Sequence, residues 1–255
     1  MKITRCLYQG QEVVGKIEDG GLIPMTGDLF GEHSFSGQAI PIEDVRFLPA
    51  VNPSKILALG LNFRDHAEEM GVPIPEWPIV FFKPVSALTG HNCPVYLPAR
   101  YAKRVDYEAE MVVVIGKTAR HVPAEDAFAY ILGYTCGNDV TARNMQTINS
   151  QWGLCKGFDT FAPIGPWIET ELDPGNLDIQ MLVNGEVRQH TNSNQLIFDV
   201  PYLIKYLSEV MTLLPGDVIF TGTSSGIGPV NEGDVMEVRI EGIGGLVNKV
   251  EREIH

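Results

Sequence analysis

The segment LDIQMLVNGEVRQ, residues 177–189, constrains the fold more than any other stretch. Asn184-Gly185 divides two strand-like runs, and both residues tolerate the positive φ that a type I′ turn requires. A two-residue turn of this kind joins antiparallel neighbours, so a β-hairpin is expected. A second strand signal follows in VMEVRIEGIG (235–244), where Met236, Val238 and Ile240 alternate with Glu237, Arg239 and Glu241. KILALGLNF (55–63), EMVVVIG (110–116) and VIFTG (218–222) are short apolar runs of the buried-strand type.

Helical signals are fewer. DHAEEMG (65–71) has helix formers, an acidic first turn and a Gly stop, enough for one or two turns. PAEDAFAYILGY (123–134) reads as helical, with Phe128, Ile131 and Leu132 on one face. IFDVPYLIKYLSEVMTLLPGD (197–217) reads as a helix entered near Pro201 and closed by Pro215-Gly216. VPIPEWP (72–78) is too rich in proline for anything but extended loop. Strands dominate without a regular βαβ rhythm, so the expected class is α+β with a mixed sheet. Residues 1–52 read as a small β-rich N-terminal domain of strands broken by Gly and Pro. A junction at VNPSK leads into a larger domain over 53–255.

Acidic residues outnumber basic ones 32 to 19, a formal net charge of −13. That balance argues against a nucleic-acid surface and suits divalent cations. An anionic substrate then needs local Arg or Lys groups against the overall field. No apolar run approaches the ~20 residues of a membrane helix, and the charged, alternating N-terminus is no signal peptide. Cysteines 6, 93, 136 and 155 lack C-x-x-C spacing, so reduced thiols in a cytoplasmic protein are expected.

TGTSSGIG (221–228) fits both a dinucleotide-binding glycine turn and a G-x-S-x-G nucleophile elbow. Its context supports neither. Pro229 follows at once, then a turn and a strand, with too little chain left for either domain. The remaining reading is a glycine-rich loop between strands, whose N–H groups and hydroxyls suit an anion.

The chemistry concentrates in acidic residues. In VDYEAEMVVVIG (105–116), Glu108 and Glu110 stand two apart. Strand geometry puts them on one face with Cα atoms about 7 Å apart. Asp139, in GYTCGNDVTARN, follows another apolar segment. Three carboxylates are hard ligands suited to Mg2+, Mn2+ or Ca2+ rather than Zn2+, and leave about three positions of an octahedral ion open. His66 and Glu69 stand at i and i+3, either as a general base with its orienting carboxylate or as an ordinary exposed pair. Lys156 is either held inward to meet an anion or solvated. His33, His91, His121, His190 and His255 have no partner at useful spacing and read as structural.

Seven segments in order make a specific set: NF-x-x-HA-x-E (62–69), FFKPVSALTG (81–90), VDYEAEMVVVIGK (105–117), GNDVTARNMQ (137–146), KGFDTFAPIGPW (156–167), the Asn-Gly hairpin and PGDVIFTGTSSGIG (215–228). From about residue 55 onward the chain resembles the fumarylacetoacetate hydrolase family. Its first 50 residues resemble the variable leading segment of shorter bacterial and archaeal members. The resemblance implies an α+β fold, a mixed β-roll with a small β-rich N-terminal segment, usually as a homodimer. It implies Mg2+ or Mn2+, with Ca2+ as the further option, on Glu108, Glu110 and Asp139, and a His66–Glu69 dyad on a mobile lid. Lys156 would stand near the reacting oxygens, with Phe63, Arg143, Gln146 and Thr223 contacting a small keto-acid substrate. Asn144 and Gly157 depart from the Asp and Ser common at those positions, which bears on specificity. The implied reaction is C–C bond hydrolysis of an acylpyruvate-like or dienoate 2-oxo acid through a metal-stabilised enolate. Isomerisation, tautomerisation or decarboxylation of the same substrate class is the alternative. A folded relative kept for binding or assembly is the third reading.

Overall fold

The structure is a computed structural model that describes residues 1–146 and 151–253. Three strands lead: β1 (Lys2–Tyr8), β2 (Gln11–Glu18) and β3 (Gly21–Gly27). After the junction come β4 (Ile56–Gly60), a short helix α1 (Arg64–Met70) and β5 (Ile79–Lys83). The centre is formed by β6 (Ala109–Ile115), β7 (Ile131–Asn138) and β8 (Ala162–Glu169). A hairpin of β9 (Asp178–Val183) and β10 (Glu186–Asn192) precedes helix α2 (Val200–Val210). The last strands are β11 (Val218–Phe220), β12 (Val235–Ile240) and β13 (Gly244–Arg252).

One large sheet runs β3-β2-β1-β8-β7-β6-β11-β4-β5. Its neighbours are antiparallel except for β11 beside β4, so the sheet is mixed. A second sheet runs β13-β12-β9-β10. The class is α+β, as the sequence implies. Strand β6 is buried along its whole length, which is why it reads as a continuous apolar run and not an alternation. The leading strands extend the large sheet directly, because β1 pairs with β8 at Lys2–Glu169 and Ile3–Ile168.

The hairpin forms as expected, with φ of 53° at Asn184 and 82° at Gly185. Two helical expectations need correction. Residues 124–130 form only a 3-10 turn, and Ile131 and Leu132 already belong to β7. Pairing of Ile131 with Ile115 wins there, since an apolar run this short fits a strand as well as a helix. Helix α2 stops at Val210, well before Pro215. Met211 turns extended, and Leu213 exchanges two backbone hydrogen bonds of 2.9 Å with Ala119. The four cysteines are free thiols, three of them buried. His255 lies outside the described residues. No described helix is long and apolar enough to cross a membrane.

Candidate metal centre and active site

The β6–β7 pairing brings the distant acids together. Glu110 lies opposite Gly137 and Ala109 opposite Asn138, so Asp139 emerges beside Glu108. The Asp139 N–H donates to the Glu108 carbonyl at 2.9 Å, and Asn138 Oδ1 accepts the Glu108 N–H at 2.9 Å. One oxygen from each of Glu108, Glu110 and Asp139 lies within 4.8 Å of the others, and all three residues are buried.

Three cations answer this charge. Lys156 Nζ donates to Glu108 Oε2 at 2.7 Å and to Asp139 Oδ2 at 2.6 Å. Lys83, at the end of β5 and fully buried, donates to Asp139 Oδ1. Arg143 donates to Glu108 Oε1 through Nη2, to Asp106 Oδ2 at 2.9 Å through Nε, and to Gln146 Oε1 at 2.5 Å through Nη1. Burial raises the Glu108 pKa, but the Lys156 and Arg143 charges outweigh it and hold the group down at about 2. Burial alone would lower the Lys156 ammonium, yet Asp139 and Glu108 more than reverse this and keep it protonated. At Lys83 burial wins and the pKa falls.

Glu110 is the exception. Its Oε2 accepts one bond, from the Gly222 N–H at 2.7 Å. Its Oε1 is buried with no partner among the described residues. Burial, then the Asp139 and Glu108 charges, push its pKa well up. A buried oxygen left unpaired costs about 1–3 kcal/mol. A hard divalent cation would satisfy it and replace its proton, so the donor set fits such an ion.

The second group is the dyad on α1. His66 Nδ1 lies 3.0 Å from Glu69 Oε2, with His66 buried and Glu69 exposed. Gly71, left-handed at φ 64°, closes the helix. The helix is clipped to the glycine-rich loop. Asp65 Oδ2 accepts from Ser225 Oγ at 2.9 Å and from its N–H at 3.3 Å, and Glu69 Oε1 accepts the Gly226 N–H at 3.0 Å. The loop does hold anions, but those seen are the protein's own carboxylates. Thr223 Oγ1 donates to the Ala109 carbonyl at 3.0 Å and accepts from Gln189 Nε2 at 2.8 Å.

A cavity of about 610 Å³ joins these groups. His66, Glu108, Arg143, Gln146, Lys156 and Thr223 all line it. Glu69, Glu110 and Asp139 adjoin those wall residues. A larger surface concavity of about 780 Å³, around Tyr96, Thr160 and Arg252, holds none of the candidate residues, so chemistry and not size marks the site. Phe63 is not in the wall. It is fully buried at the start of α1, with a backbone bridge to Leu196, and belongs to the core. The sequence reading missed Lys83, Asp65, Gln189 and Trp152. Lys83 carried a signal: in IVFFK, Phe81 and Lys83 fall on the buried face and Phe82 on the exposed one. Of the two departures, Gly157 has no room for a side chain, since a Cβ would lie 2.2 Å from the Gly153 carbonyl oxygen. Asn144 caps a turn, accepting the Lys103 N–H at 2.8 Å.

A sequence profile described as fumarylacetoacetate hydrolase C-terminal matches residues 55–251, and one described as Rv2993c-like N-terminal matches 1–49. The mitochondrial oxaloacetate tautomerase Fahd2a of Rattus norvegicus is 44% identical over 83% of this chain and 71% of its own length. The 5-carboxymethyl-2-hydroxymuconate delta-isomerase of Mycobacterium smegmatis is 42% identical, with a TM-score of 0.93 over 99% of this chain and 100% of that one. Maleylpyruvate hydrolase from Sphingobium sp. SYK-6, solved with manganese(II) and pyruvate, is 30% identical, with a TM-score of 0.83 over both whole chains.

Proposed function

The chain belongs to the fumarylacetoacetate hydrolase family, and from that premise we propose that it moves a proton at the carbon beside the 2-oxo group of a small keto acid, interconverting keto and enol forms. The observation that carries this reading is the cavity lined by His66, Lys156 and Glu108, with Glu110 and Asp139 clustered beside Glu108. Glu69 accepts from Nδ1–H of His66, which leaves Nε2 as the basic nitrogen. Nε2 takes the proton from the carbon, the C–H electron pair becomes the C=C bond of the enolate, and the C=O π pair moves onto the 2-oxo oxygen. Protonation of that oxygen completes the enol, and the same steps reversed return the ketone. Lys156, kept charged, faces the oxygen that turns anionic. Arg143 and Gln146 orient the carboxylate end. A divalent cation on Glu108, Glu110 and Asp139, when bound, supplies positive charge to the substrate oxygens. The positioned base contributes roughly 10²–10⁴-fold.

Two relatives above 40% identity are named as a tautomerase and an isomerase, and on their support proton transfer is proposed here ahead of the C–C hydrolysis that the sequence reading put first. Hydrolysis is the second reading, favoured by the relative named as a maleylpyruvate hydrolase and by a His66 equally able to deprotonate water. Oxaloacetate, acetylpyruvate and a hydroxymuconate-type dienoate assayed side by side with Mg2+ or Mn2+ separate the two. A decaying enol band without new acids supports tautomerisation; two acid products support hydrolysis. Wild-type rates from His66→Asn on all three substrates would sink both. The homodimer belongs to the same proposal and is tested by light scattering.

A further inference from the structure

The cavity wall divides by chemistry. Every polar member sits with the acidic triad and the dyad. The rest of the wall is Leu59, Gly60, Leu61, Met70, Val72, Ile79 and Trp152. Met70, Val72 and Ile79 form the solvent side, at 50%, 38% and 36% exposure.

Among the described residues, no cation lines that end. Arg143 and Lys156 are the only Lys or Arg side chains in the wall among the described residues, and both are bonded to the triad carboxylates at the inner end. Arg64, exposed on α1, is not in the wall. The sequence of 147–150, Thr-Ile-Asn-Ser, carries no cation either. With the carboxylate and 2-oxo end of a substrate held by Arg143, Gln146 and Lys156, its far end meets mainly apolar side chains and no charged group among the described residues.

We infer that the site selects 2-oxo acids whose far end is an uncharged alkyl or aryl group, and discriminates against diacids bearing a carboxylate there. This rests on the inner end binding the 2-oxo acid head as proposed above. A carboxylate brought against the Met70–Val72–Ile79 wall gives up part of its hydration and gains no cationic partner among the described residues. A methylene in the same place gains about threefold in binding.

Butanoylpyruvate and succinylpyruvate make the matched test. They have the same chain length and differ at the tip, methyl against carboxylate. Dissociation constants by calorimetry in Mg2+, together with kcat/KM, should favour butanoylpyruvate by about tenfold or more. Ile79→Lys, at an exposed position outside the catalytic groups, should bring the two within threefold or reverse the order. Equal or tighter binding of the diacid by the unaltered protein overturns the inference, and so does failure of both compounds to bind. Tighter binding of butanoylpyruvate without turnover leaves the inference standing and removes the proton-transfer reading instead.

Discussion

Two buried carboxylates stand at opposite ends of β11. Asp217 precedes the strand, and Gly222, which serves Glu110, follows it. Asp217 is saturated. It accepts from the Ser54 N–H at 3.1 Å, Ser54 Oγ at 2.6 Å, the Lys55 N–H at 3.1 Å, the Leu214 N–H at 2.7 Å and Lys55 Nζ. Glu110 accepts one N–H and keeps one oxygen unpaired. Equal burial therefore hides opposite degrees of hydrogen-bond satisfaction. A carboxylate that staples a fold collects donors from nearby backbone, whereas one that serves a ligand is left short of them.

Exchanging the two effects would break this contrast. Glu110→Gln should lower turnover at least about 10³-fold and abolish the heat of Mg2+ binding, with the metal-free melting temperature unchanged or higher. Asp217→Ala should cost about 3 kcal/mol in urea unfolding yet leave Mg2+ affinity intact. An Asp217 variant that loses the metal, or a Glu110 variant that unfolds, ends the distinction.

Two measurements sharpen it further. Saturating Mg2+, at a hundred times its dissociation constant, should stabilise the protein by about 2.7 kcal/mol and the Glu110→Gln variant hardly at all. Acidity should then act through Glu110. Its folded pKa lies above the 4.5 of the free side chain, so the folded metal-free state keeps a proton that the unfolded chain releases. Metal-free stability should fall as pH rises from 4.5 towards that folded value, and Glu110→Gln should flatten the fall. Mg2+ affinity should climb over the same window as the ion displaces the proton, which titrations in buffers of different ionisation heat detect. The smallest effect is expected at a purely structural position. Asn184→Ala forces alanine to a φ of 53° and should cost about 1 kcal/mol with no change in metal affinity or turnover.

The legible parts of the sequence were those governed by local periodicity. Asn184-Gly185 declared its turn through local geometry, whereas Glu108, expected on one strand face with Glu110, stands in the break just before β6 and meets Glu110 through the cluster with Asp139. Asp139 could be tied to that pair only through the ordered motifs, since nothing local says that β6 and β7 are neighbours. What failed to show lies in long-range packing. Ile131 and Leu132 matched a helix face, yet pairing with β6 claimed them for a strand. Phe63 came only with the family resemblance, and a residue that opens a helix can point into the core as readily as into a cavity. Lys83 was overlooked because a lysine ending an apolar strand usually marks where water begins; here it meets Asp139.

The glycine-rich loop leaves this protein little freedom to vary. Gly222 serves the acidic triad and Gly226 serves the dyad, four positions apart on one stretch. Both are left-handed, and a methyl group would lie 2.8 Å from the Asn62 Cβ at the first and 2.5 Å from the Arg188 carbonyl oxygen at the second. A substitution at either glycine disturbs the backbone that serves both. Laboratory evolution of this enzyme should find cation preference and base strength inherited together whenever it samples this loop, and separable only through changes made elsewhere.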